Sequence, residues 1–138
     1  MLKRDFLLKQ LEEFARAVNK IISDILRLRN EGKTDDAYRL AKESLTEKFE
    51  LDMENILALS MDDFKKVVVE TNTSNPVQLN YLAELLCTTA ELLKEKKENE
   101  KTNDLFRKSL MIYEHLNKTD RTFSAERQEK IKNIKEQL

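Results

Sequence analysis

A chain of 138 residues with 25 Lys and Arg against 26 Asp and Glu carries a net charge of -1, so no global field draws it to nucleic acid or to an anionic membrane. One glycine, one proline and 37% charged residues favour helix almost throughout and leave little material for the turns of a sheet. Cys87 stands alone, which excludes an intramolecular disulfide and any cysteine-cluster metal site.

From about Lys3 to Asn30, the residues Leu7, Leu11, Phe14, Val18, Ile21, Ile25 and Leu28 alternate spacings of four and three, which predicts one long helix. Leu8, Ala15 and Ile22 widen the apolar stripe beside this seam, as suits packing into a core. Charges interrupt the apolar residues of the opening MLKRDFLLKQLEEF. It therefore lacks a signal-peptide core, no run is long enough to span a membrane, and a cytoplasmic location is expected.

Gly32 is the expected stop, because glycine takes the left-handed conformation that closes a helix at no steric cost. Thr34 is expected to cap the next helix, with Asp35 and Asp36 beside its positive end. That helix, Asp35–Phe49, puts Ala37, Leu40, Ala41, Ser44 and Leu45 on one face, and their small size permits close approach of an antiparallel partner. Asp52 and Ser60 are placed to cap two short helices, Met53–Leu59 and Met61–Val69. The polar run ETNTSN, residues 70–75, reads as a linker that ends in an Asn75 cap and Pro76 at the first helical position.

The helix Pro76–Lys96 is apolar on more than one side and reads as the central core helix. KEKKENEK, residues 94–101, reads as a solvated loop tip. Helix Lys101–Asn117 follows, with Leu105, Phe106, Leu110 and Tyr113 on a common stripe. Ser124 caps a last helix that is apolar only at Ala125, Ile131, Ile134 and Leu138, so weak docking and fraying are expected of it.

The layout around Gly32 returns 65 residues later, with Lys97 in the glycine's place. Ile21, Ile25 and Leu28 then meet Leu86, Ala90 and Leu93, while Ala37, Leu40, Ala41, Ser44 and Leu45 meet Thr102, Leu105, Phe106, Ser109 and Leu110. Through Ala90, Leu93, Phe106 and Ser109, and through Ala37 and Ser44, both copies resemble the tetratricopeptide repeat, although the pattern's tryptophan is replaced by Ile21 and Leu86. The resemblance implies helical hairpins; the spacing departs from the period of about 34 residues that a solenoid needs. Over the stretches MLKRDFLLKQLEEFARAVNKII, LRNEGKTDDAYRLAKESL and FELDMENILALSMDDF, the chain also resembles a family of small bacterial proteins known as a domain of unknown function, which implies a cytoplasmic helical protein and supplies no catalytic residues.

The expected fold is therefore all-α: a single domain over 1–138, with a first hairpin and short helix in 1–59, a short helix and linker in 60–75, and a second hairpin with its C-terminal helix in 76–138. The first half of the long helix outruns its hairpin partner. Either the C-terminal helix folds back over Phe6–Val18, or a second copy does.

No glycine-rich phosphate loop, nucleophile elbow, paired histidine motif or EF-hand loop is present. A di-iron bundle fails for want of a second histidine. His115 reads as a surface residue and Cys87 as a buried thiol, while pairs such as Glu12 with Arg16 and Glu91 with Glu95 are ordinary in so charged a chain. A non-enzymatic interaction or self-association module without cofactors is expected. If the hairpins present a concave surface to a protein or peptide, Asn19, Ile22, Leu26, Arg29, Cys87, Glu91 and Lys94 form it; the self-association seam is Leu7, Leu11, Phe14 and Val18. The alternatives are a nucleic-acid contact through Lys118, Arg121, Arg127, Lys130, Lys132 and Lys135, against which Glu126, Glu129 and Glu136 are interleaved, and a small-ligand pocket between hairpins.

Overall fold

A computed structural model describes residues 2–70, 75–120 and 124–138, and among these every element is helical. They are α1 (Leu2–Asn30), α2 (Thr34–Phe49), α3 (Met53–Ala58), α4 (Met61–Lys65), a π-helical turn (Lys66–Glu70), α5 (Pro76–Glu95), α6 (Asn99–Thr119) and α7 (Ala125–Gln137). Residues 71–74 of the expected linker and Arg121 of the basic run lie outside the described residues.

Two reversals of the same geometry organise the fold. At the end of α1, Gly32 has φ +78°, the Lys33 N–H donates to the Leu28 carbonyl at 2.8 Å and the Gly32 N–H to Arg29 at 3.0 Å. At the end of α5, Lys97 has φ +62°, with Glu98 bonded to Leu93 and Lys97 to Lys94, both at 3.0 Å. These are two Schellman closures, and each atom of the second sits 65 residues after its counterpart. Thr34 departs from its expected role: no side chain caps α2, and the Thr34 hydroxyl donates to Glu95 Oε2 at 3.3 Å. The other four expected caps form, with Asp52, Ser60, Asn75 and Ser124 accepting from the N–H groups of Asn55, Asp63, Gln78 and Arg127.

The antiparallel pairs α1/α2 and α5/α6 pack side by side, with α5 also against α1 and α2. Helix α5 buries Leu79, Leu82, Ala83, Leu85, Leu86, Ala90, Leu92 and Leu93, as its two-sided stripe predicts. In the first hairpin, Ala37, Ala41 and Ser44 lie buried at the contact. In the second, the Ser109 hydroxyl donates across the helix pair to the Ala83 carbonyl at 2.7 Å, a bond that only a small side chain at close range makes.

Met53, Ile56, Phe64 and Val68 close one end of the core from α3, α4 and the π-helical turn. Lys108 of α6 is fully buried there. Its ammonium donates to the carbonyls of Ile56 (2.6 Å) and Leu59 (2.8 Å) at the C-terminal end of α3 and to Asp104 Oδ2 (2.6 Å) on its own helix, so its three N–H bonds are all used.

Helix α7 packs principally on α6, through Ile131 and Ile134. It does not cover the first half of α1, so of the two alternatives for Phe6–Val18 the fold-back of the C-terminal helix is not the one formed. The reason is local: Arg127 is buried and donates to Asp120 Oδ2 at 2.9 Å, which turns α7 back along the helix it has just left.

Candidate functional site

At about 1.5 Å per residue, the 29 residues of α1 reach about 43 Å and the 16 of α2 about 24 Å. Counting back from the turn, α2 runs out near Phe14. There Phe14 meets Phe49 edge-on with ring centroids 5.5 Å apart, and Tyr81 of α5 at 6.3 Å. Beyond that aromatic stop α1 projects past its partner. Phe6, Leu7 and Leu8 are 60%, 56% and 50% exposed, and Leu11 is half-buried. At the base of the projection Leu7, Gln10, Leu11 and Phe14 face Asn75 and Gln78 across an open groove of about 450 Å³.

Of the expected seam, Leu7 is therefore exposed and Leu11 half-buried at the groove, whereas Val18 is fully buried and Phe14 is engaged within the monomer. The expected partner surface divides in the same way. Ile22 is only 8% exposed and belongs to the core. Asn19 donates to the Tyr81 hydroxyl at 3.0 Å. Arg29 bridges to both Glu91 and Glu95, and Lys94 reaches Gln137 at 3.2 Å. Asn19, Arg29, Glu91 and Lys94 thus connect α1, α5 and α7, and Leu26 is left exposed among them.

Burial, with Glu91 next in effect, pushes the Cys87 thiol up to about 12, so it is protonated near neutral pH. Burial likewise raises Tyr113, whose hydroxyl has no hydrogen-bond partner among the described residues. His115 is shifted down, first by burial and then by Lys65 and Lys118. No group of acidic, histidine and cysteine side chains among the described residues is arranged to hold a metal ion, and none of the described helices is long and apolar enough to cross a membrane.

The C-terminal basic run is split. Arg127 is buried against Asp120, Lys130 pairs with Glu84 at 3.3 Å, and Lys132 and Lys135 remain exposed.

Comparisons with protein-family models, curated proteins and solved structures found no match to this chain.

Two features escape sequence reading. Lys108 lies on the α6 stripe between Leu105 and Ile112, four residues after Asp104; a charge at a core position with an acid one turn away is the signal that finds it. Arg107, Met111, His115 and Lys118 recur at helical spacing, but only the structure sets Met61 and Lys65 of α4 opposite them.

Proposed function

We propose that this chain is a non-enzymatic helical interaction module whose contact element is the projecting half of α1, and that its occupant is a second copy of the same helix. The observation that carries this reading is the uncovered run of Phe6, Leu7 and Leu8, on a helix whose remainder is packed into the core. Leu7 continues the face of Leu11 and Phe14 at the groove, and Phe6 and Leu8 flank it, each half or more exposed; large apolar side chains left exposed together mark association surfaces.

Charge supports a second copy in antiparallel orientation. Lys3 and Arg4 precede the patch and Glu12 and Glu13 follow it, about 13 Å along the helix. A two-fold axis near Leu8 brings the basic pair of each copy alongside the acidic pair of the other, as an isologous interface requires. In the same reading the twin closures at Gly32 and Lys97 support tetratricopeptide-like hairpins, used here as a rigid mount for the projecting helix.

Sedimentation velocity over a concentration series tests the proposal. The wild type is expected to dimerise, and Leu7→Asp, at a position exposed in the monomer, to weaken association at least about tenfold with helicity unchanged by circular dichroism. A wild type that remains monomeric at the highest concentration, or a Leu7→Asp variant that dimerises equally well, overturns it.

A further inference from the structure

On the side of the molecule formed by α4 and α6, a groove of about 380 Å³ runs between Met61 and Lys65 on one wall and Arg107, Leu110, Met111, Glu114, His115 and Lys118 on the other. Its chemistry is two-part. Met61, Leu110 and Met111 give it an apolar, adaptable floor. Lys65, Arg107 and Lys118 set three cations around that floor against the single carboxylate of Glu114, and none of the three has an ion-pair partner among the described residues. His115, shifted down first by burial and then by Lys65 and Lys118, lies within reach of both ammoniums, one from each wall.

We propose that this groove docks an acidic amphipathic peptide segment of another protein, its carboxylates meeting Lys65, Arg107 and Lys118 and its apolar side chains lying on Met61, Leu110 and Met111. Charge complementarity selects the partner: a surplus of two positive charges sits on a chain whose net charge is -1, so the excess is local. The apolar floor and the carboxylate of Glu114 within the cationic rim favour a peptide over a phosphate backbone, which presents no apolar face to the floor and is repelled by the acid. Arg107 to Lys118 spans about 16 Å of helix, which matches about three turns of a bound helix.

The test pans the 138-residue chain against a displayed library of random peptides of roughly twelve residues, a length that follows from that span. The triple variant Lys65→Glu, Arg107→Glu, Lys118→Glu is panned in parallel, after circular dichroism and thermal melting show it folded as the wild type is. All three positions are solvent-exposed, so the fold tolerates the exchange. The wild type is expected to enrich peptides that combine acidic and apolar residues, and these are expected to bind the triple variant at least about tenfold more weakly. Met111→Ala is expected to weaken the same peptides without altering their acidic preference. Three outcomes overturn the proposal: no enrichment over the variant, enrichment of uncharged or basic peptides, or a single-stranded oligonucleotide that competes as well as the selected peptides.

Discussion

Gly32 and Lys97 occupy the same left-handed position in equivalent turns with φ +78° and +62°, but only glycine holds it without strain. An L-residue there costs about 1–2 kcal/mol in conformational energy, partly offset by the greater chain entropy of glycine when unfolded. Lys97 is exposed, so its side chain contributes little to offset that strain. Lys97→Gly is therefore expected to stabilise the protein by about 0.5–1 kcal/mol and Gly32→Ala to destabilise it by about 1 kcal/mol. Nothing lies within 4 Å of a Cβ built at Gly32, so the second change reports the backbone alone; urea denaturation midpoints measure both. At this scale the sequence was legible wherever the interaction is local. Asp52, Ser60, Asn75 and Ser124 each cap a helix three residues away, and the chain itself displays both partners. Asp104, one turn away, marks Lys108 as a charge at a core position, but its carbonyl acceptors at Ile56 and Leu59 were illegible because they lie 52 and 49 residues off. Thr34 was misread for a related reason: Glu95, on another helix, supplies an acceptor for its hydroxyl.

Among the elements, periodicity revealed which helices exist but not where the last one docks. Helix α7 carries two apolar anchors, Ile131 and Ile134, on an otherwise charged sequence, and two anchors fit many grooves. The choice rests on Arg127, whose guanidinium is buried beside α6 and held by Asp120 at 2.9 Å and by the Asn117 carbonyl oxygen Oδ1 at 3.5 Å. Neither partner is identifiable from the α7 stripe. Because Asp120 is 23% exposed, losing Arg127 costs less than the roughly 3–5 kcal/mol of a fully buried pair, but it removes the contact that selects α6, and a 13-residue helix left with two isoleucine anchors is marginal. Arg127→Ala is thus expected to release α7 while the α1/α2 and α5/α6 pairs stay folded. Hydrogen exchange should then be fast across 125–137 and slow in α5 and α6; uniform protection, or uniform loss, contradicts the assignment. The same reasoning explains why α1 projects uncovered: its apolar pattern continues beyond Phe14 at unchanged period, but the helix able to cover it is anchored elsewhere.

For the whole molecule, one property sums over separated sites, and that is stability at alkaline pH. Cys87, Tyr113 and Tyr38 are all raised above their ordinary values, each chiefly by burial, so folding favours their neutral forms. Below pH 9 the thiol and the phenols are protonated in the folded and the unfolded chain alike, and this contribution is fully present. Above pH 9.0, the ordinary thiol value, the unfolded chain releases the Cys87 proton while the folded chain retains it up to about 12. The unfolded state then binds fewer protons, and the free energy of unfolding falls as pH rises, by at most about 1.4 kcal/mol per pH unit for Cys87 and for Tyr113, and by less for the more exposed Tyr38, where solvent screens the shift. The tyrosines join from their ordinary value of 10.0 upward. Urea midpoints followed from pH 8 to pH 11 are therefore expected to be level at first and then to fall in two stages. Cys87→Ala should delay the onset by about one unit, from the thiol's range to the phenols', because it removes the earlier group and leaves the later ones. A midpoint independent of pH, or an onset unmoved in Cys87→Ala, means that the thiol ionises as freely in the folded chain as in the unfolded one, and that the packing of α1, α2 and α6 around α5 does not shield it from water.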